Sequence, residues 1–148
     1  MTKLNKFLVI PVVLALFALT LPGVASAQNA ARLVISGVQD GTSTAEAGED
    51  GVRMATFDFD VQGTTEEVRI LRTPAVLSLS GGAEASDLSN CRVFNTAGAG
   101  NPLSSGTNII NNVIVGENTF LLDEPLVITN GGSARLAIEC NISSSANV

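Results

Sequence analysis

The residue types that carry most enzyme chemistry are missing from this sequence. Among its 148 residues there is no His, Trp or Tyr, and the lysines are Lys3 and Lys6. Ser-His-Asp and Cys-His catalysis both need an imidazole to carry the proton, and most zinc sites need His or more than two cysteines. Carboxylate chemistry of the glycosidase type is the option that is left, although sugar-binding clefts are usually built with Trp and Tyr. We therefore predict that this protein is not an enzyme.

Cys91 and Cys140 are the two cysteines of the chain, and both fall on inward-facing positions of predicted strands. In an exported protein such a pair predicts a disulfide. Closing a loop of about 50 residues would restrict the unfolded chain by about 4 kcal/mol. The alternative is a pair of separate buried thiols that act as small hydrophobic residues. A redox role is disfavoured because the spacing is not Cys-x-x-Cys.

Asp58 and Asp60 project from the same face of a predicted strand. Together with Glu66 and Glu67, or with Asp123–Glu124, they could supply oxygen ligands to a calcium ion. A plain solvated strand face explains the same residues, and the spacing matches no recognised calcium loop. Asp58 and Asp60 are therefore weak calcium candidates, and no other cofactor is expected.

The first 27 residues have the layout of a secretory signal peptide. Lys3 and Lys6 precede an apolar stretch over 7–19, and small residues lead to a cleavage site between Ala27 and Gln28. A permanent anchor would need about 20 apolar residues, which is more than this stretch has. No second apolar run of spanning length follows, so no membrane span is expected after cleavage. The prediction is a secreted or cell-surface protein, or a periplasmic one if the source has an outer membrane.

The mature chain, residues 28–148, has the size of a single domain. Six arginines stand against fourteen acidic residues, which gives a formal charge of −8. Nucleic acid is a poor partner for such a surface, because phosphates are bound by clustered Lys and Arg.

Short stretches of period-two alternation, separated by Gly, Asn, Ser and Pro, recur along the mature chain and are typical of an all-β protein. We expect about seven to eight antiparallel strands in a two-sheet immunoglobulin-like sandwich. The Asn130–Gly132 turn predicts a hairpin, residues 39–51 a mobile acidic loop, and residues 143–148 a frayed tail. The segments that show the strand pattern are 32–36, 53–62, 67–71, 75–80, 91–94, 109–115, 119–122 with 126–128 after Pro125, and 135–142.

The second half of the chain, over about residues 68–144, resembles a known group of modules. Ala85–Phe94, the Asn118–Phe120 strand and Ile128–Ile142, which contains a Gly-Gly-Ser turn before a closing strand, carry the likeness. These patterns are similar to those of immunoglobulin-like β-sandwich modules of bacterial surface and S-layer-type proteins. The resemblance implies an extracellular sandwich module and brings no catalytic motif with it.

The sequence leaves four alternative functions to compare. The first is a non-catalytic structural or interaction module that contacts proteins or surface polymers through its turns and sheet edges, with a homo-oligomer among its possible states. The second is a pilus or filament subunit that assembles by strand exchange. The third is a carbohydrate-binding module, which the lack of Trp and Tyr disfavours. The fourth is a hydrolase with two carboxylates, which would need them about 5 to 10 Å apart across a cleft.

Overall fold

A computed structural model describes residues 32–38, 45–62, 67–97 and 100–146 of the chain. Over these residues the protein is built from β-strands, joined in two places by a single turn of 3₁₀ helix. The strands are β1 (Arg32–Val38), β2 (Val52–Gln62), β3 (Val68–Leu77), β4 (Leu88–Asn95), β5 (Gly116–Ile128) and β6 (Ser133–Ile142), and the 3₁₀ turns are Ala85–Asp87 and Gly106–Asn108. The described residues contain no helix with the length and hydropathy that a membrane crossing requires.

The strands form two antiparallel sheets. The four-stranded sheet has the order β1-β2-β6-β4, and the two-stranded sheet pairs β3 with β5. The expectation of an all-β fold with two antiparallel sheets is confirmed, whereas the expected seven to eight strands become six in the described residues.

The core lies between the facing sides of the two sheets. In β2, Phe57, Phe59 and Val61 alternate with Asp58 and Asp60, and the apolar set is buried. This is the period-two pattern of a strand with one face on the core and the other in water. The buried cluster also includes, from β6, Leu136, Ile138 and Ile142, from β3, Ile70, and from β5, Phe120, Leu122 and Ile128.

The two-stranded sheet contains fewer and longer strands than the sequence predicts. The pieces expected at 67–71 and 75–80 are joined into the single strand β3, which ends at Leu77, three residues earlier than expected. Those at 119–122 and 126–128 are joined into β5, so Pro74 and Pro125 lie inside β3 and β5. Proline cannot donate to a ladder and is confined to edge strands or bulges. In a sheet of two strands both are edge strands, which explains why neither proline ends its strand.

Two local predictions are wrong. Residues 109–115 do not form a strand; their only described ladder contact is an isolated bridge between Ile110 and Cys91. Asn130–Gly132 does form a turn, with Gly131 at φ 69°, but it is not a hairpin, because β5 and β6 belong to different sheets. The turn carries the chain from one sheet to the other, and Gly131 and Gly132 exchange backbone hydrogen bonds with Val61.

Hydrogen bonds join the loop before β2 to the C-terminal segment of the described chain. In the loop expected to be mobile, residues 39–44 lie outside the described residues, but Gly48 donates to the carbonyl of Ser143 and Glu49 accepts from the amide of Ile142. The expected fraying does not include Ser143, whose amide donates to Asp87, or Ala146, which closes a turn onto Ser143. The predicted signal peptide, with Ala27 and Gln28, lies outside the described residues.

Candidate interaction surface

Cys91 and Cys140 form a disulfide between the neighbouring strands β4 and β6, which confirms the predicted pairing. The ladder between these strands is irregular from Ser89 to Arg92, so that Asn90 and Cys91 face Cys140 alone. Such a two-against-one arrangement is a β-bulge. Asn90 has φ 52°, a left-handed conformation that Asn tolerates better than most residues, and the bulge places Cys91 in the core. Both cysteines are nearly inaccessible, with exposures of 0% and 3%, so the disulfide is a structural cross-link.

Asp58, one of the weak calcium candidates, forms an ion pair with Arg135. The guanidinium of Arg135 donates to both carboxylate oxygens, over 2.5 Å to Oδ1 and 3.0 Å to Oδ2. This hydrogen bonding holds the pKa of the Asp58 carboxyl below its usual value. Asp60 lies on the same outer face, opposite Ser133 of β6 and Val34 of β1.

The other carboxylates considered for calcium lie elsewhere. Glu67 pairs with Arg69, and Glu66 is outside the described residues. Asp123 lies in β5, on the two-stranded sheet, where it accepts hydrogen bonds from the Ser105 amide and the Asn108 side chain. Those bonds lower its pKa. Among the described residues, no group of three or more His, Cys, Asp or Glu side chains is placed to hold a metal ion, and the structure does not bring Asp58 and Asp123 together.

One side of the two sheets is closed by the connection between β4 and β5. Leu103 donates its amide to Val93 of β4 and accepts the amide of Asp123 of β5, so one residue joins the two sheets. The buried Ser104 hydroxyl accepts the Val93 amide at 2.9 Å. Further along, Ile110 exchanges two backbone hydrogen bonds with Cys91. Nothing in the sequence apart from its turn-forming composition indicated that this connection seals an edge.

The other edge of the four-stranded sheet is β1, whose core side is only partly covered in the described part of the chain. The four-stranded sheet is wider than the two-stranded sheet, so the inner face of β1 extends beyond what β3 and β5 cover. Ile35 shows this directly: it lies opposite the buried Phe59, on the core side of β1, yet it is 40% exposed. Leu33, on the same face, packs against the core only in part.

A second apolar feature lies at one end of the sheets. A pocket between the sheets is lined mainly by apolar side chains, among them Met54, Leu77, Leu88, Val113 and Phe120. Directly after Val113, Ile114 and Val115 are exposed to solvent.

The buried Asn118 side chain fixes this exposed tip. Its Oδ1 accepts the Ile114 amide at 2.9 Å, and its Nδ2 donates to the carbonyls of Ile114 and Gly116 at 2.8 and 3.1 Å. The run of β-branched residues had predicted a strand here. The Gly-Glu-Asn sequence that follows is the signal against a strand, because an Asn side chain can form hydrogen bonds with the backbone amide and carbonyl groups of the preceding turn.

Comparison with models of protein families, with curated proteins and with solved structures finds no match to this chain.

Proposed function

We propose that this chain is exported by its N-terminal signal peptide and works outside the cytoplasm as a non-catalytic structural or interaction module. The Cys91–Cys140 disulfide is the observation that carries the proposal. Disulfides form and persist in oxidising compartments, and cytosolic thiols are kept reduced. A buried cross-link between two paired strands fits a small domain that is stabilised for that environment.

The state of the carboxylates supports a non-catalytic role. A general acid at neutral pH needs a carboxyl whose pKa is raised by burial or by a like charge. Asp58 and Asp123 are shifted in the opposite direction, by hydrogen bonds from groups of the scaffold. These carboxylates therefore hold strands and turns in place and are kept ionised.

The proposed contacts lie on exposed apolar surface and sheet edges. On the outer face of the two-stranded sheet, Leu71, Leu121 and Val127 are all exposed. Arg69 lies opposite Val127 and Arg72 lies opposite Leu121 in the ladder, so this face offers apolar and positively charged side chains side by side to a partner. We assign the fold to the immunoglobulin-like sandwich class, a proposal that rests on the two-sheet arrangement and on the sequence resemblance.

Export and oxidation are tested together in a bacterial host with an intact secretion pathway. The full chain is expressed, cells are fractionated, and the product is measured by intact mass and by thiol labelling. We expect a product that begins at Gln28, found outside the cytoplasm and without free thiols. The matched control is Leu14→Arg, which places a charge in the apolar stretch and should leave an unprocessed, reduced chain inside the cell. Full-length reduced protein from the unaltered sequence would refute the proposal.

A filament subunit assembled by strand exchange is a second candidate, because the outer edge of β1 has no described partner strand. Negative-stain microscopy of the exported protein tests it. Filaments would support it, and discrete particles of uniform small size would exclude it.

A further inference from the structure

Asn130 and Gly131 form the one Asn-Gly pair in the sequence. This dipeptide is prone to deamidation, because glycine has no Cβ to hinder the approach of its backbone nitrogen to the asparagine side chain. The nitrogen attacks the side-chain carbonyl carbon, ammonia leaves, and a five-membered succinimide forms. Water then opens the ring at either carbonyl and gives aspartate or isoaspartate. One water is consumed and one ammonia is released, so the reaction needs no other reagent.

The group that is attacked is open to solvent in this protein. Asn130 is exposed, and within the described ranges its side chain forms no hydrogen bond with another residue. Ammonia can therefore leave, and water can reach the ring. The asparagine side chain itself has no protection.

The attacking nitrogen, in contrast, is held by the fold. The Gly131 amide donates to the carbonyl of Val61 at 3.1 Å, and the Val61 amide donates to the carbonyl of Gly132 at 3.0 Å. Val61 lies near the end of β2 and is 1% exposed, so this pair of bonds is shielded by the core on one side. To attack Asn130, the Gly131 nitrogen must lose its proton and leave Val61.

The geometry of the turn adds a second barrier. The Gly132 amide donates to the carbonyl of Thr129 at 2.9 Å, which closes a four-residue turn with Asn130 and Gly131 at its centre. Gly131 has a positive φ of 69° and Asn130 does not have a positive φ, which is the combination of a type II turn, with ψ of the first central residue near 120°. The succinimide ring needs the Gly131 nitrogen on the same side as Cβ of Asn130. The peptide must rotate far from its place in the turn to reach that position, and the rotation also breaks the bond to Val61.

We infer that Asn130–Gly131 is a conditional modification site, which is protected while the turn is docked on Val61 and reacts when the two sheets come apart. The turn joins β5 of the two-stranded sheet to β6 of the four-stranded sheet, so its docking depends on both. Isoaspartate adds one carbon atom to the backbone in the middle of the turn. A chain modified while unfolded then cannot rebuild the hydrogen bonds of Gly131 and Gly132, and unfolding becomes irreversible with time.

The rate of deamidation tests the protection directly. The chain is expressed from Met1, purified with its disulfide intact, and incubated in a mildly alkaline buffer, either folded or unfolded in urea. Peptide mass spectrometry measures the fraction of aspartate and isoaspartate at position 130. Because the turn must open before it can react, we expect the folded protein to react at least about tenfold more slowly than the unfolded chain. Equal rates in the two states would overturn the inference.

A second Asn-Gly pair in the same molecule is the matched control. Gly81→Asn places it in an exposed turn at φ 75°, a conformation that Asn tolerates, and the Gly82 amide there donates to no residue of the described ranges. In the folded variant, position 81 should react severalfold faster than position 130. Equally slow reaction at both positions would contradict protection by the bond to Val61.

Refolding tests the consequence of the modification. After increasing times in urea, the yield of refolded protein on dilution should fall as position 130 is modified. Asn130→Ala removes the attacked group and leaves the backbone bonds of Gly131, so its yield should stay constant over the same times. A yield that falls equally fast in this variant would refute the link between modification and irreversibility. These measurements do not depend on whether the chain is exported as proposed.

Discussion

Replacing the Cys91–Cys140 disulfide tests how the domain is stabilised. In the variant Cys91→Ala with Cys140→Val, the cross-link is lost and the buried apolar volume is nearly kept. The cysteines are 49 residues apart in sequence. For a loop of about 50 residues, the loop-closure relation gives an entropy change near −14 cal/mol/K, or about 4 kcal/mol at 25 °C. Since whole domains are stable by about 5–15 kcal/mol, this is a large share of the total.

The expected shift in melting temperature follows from the size of the domain. Unfolding entropy near the midpoint is about 2.1 cal/mol/K per residue, which for roughly 100 ordered residues gives about 0.2 kcal/mol/K. A loss of about 4 kcal/mol then lowers Tm by roughly 15–20 °C. Thermal unfolding followed by circular dichroism measures Tm, and urea unfolding of the same samples measures the free energy of unfolding and the m-value.

The m-value shows whether the disulfide acts on the folded or on the unfolded state. If the cross-link restricts the unfolded chain, its removal lets that chain expand, and m should rise as stability falls. A reducing agent added to the folded, unaltered protein is the control: both sulfurs are buried, so the disulfide should resist reduction until the protein unfolds. A variant that loses less than about 1 kcal/mol would refute the loop-closure argument at this site.

Three further predictions concern the polar groups that hold the turns. Asn118→Ala removes the buried side chain that accepts the Ile114 amide in a part-buried hydrogen bond, and it should cost about 1–3 kcal/mol in urea unfolding, with faster amide exchange at Ile114 as the local readout. Asn90→Val forces a β-branched residue into φ 52° and should cost about 1–2 kcal/mol, whereas Asn90→Gly should cost less, because glycine accepts this conformation. The Asp123 carboxyl has a lowered pKa, so the stability it contributes is present above the unfolded-state value near 3.8 and is lost as pH falls through the folded value; Asp123→Asn should flatten the fall in Tm below about pH 4, and an unchanged acid profile would contradict this role.

Strands with one face on the core and the other in solvent were predictable from the sequence. Along β2, aspartates and phenylalanines alternate, and along β6, Leu136 and Ile138 alternate with Arg135 and Glu139, so the period of two fixes both the strand and its buried face. The disulfide followed from the same alternation, because it placed both cysteines on core-side positions.

Features that depend on which strands pair were not predictable. Pro74 and Pro125 predicted strand ends. Both fit inside strands here because each strand of a two-stranded sheet is an edge strand, where proline is accepted. The turn at Asn130–Gly132 has a hairpin composition, but composition specifies the backbone of a turn and not the partner of the strand that follows. The apolar run at 109–115 has strand propensity, but hydrogen bonds between Ile114 and Asn118 and between Ile110 and Cys91 hold it in another conformation.

The position of β6 has a consequence for folding. This strand comes last among the described strands, yet it lies in the middle of the four-stranded sheet, between β2 and β4. The pairing of Asp58 with Arg135 therefore closes a separation of 77 residues, and contacts this distant in sequence form late and slowly. The larger sheet cannot assemble on the ribosome before residues 133–142 have been made. For a polypeptide that is exported as proposed, the four-stranded sheet stays incomplete, and the chain is easier to thread through a translocation channel, until residues 133–142 have been made.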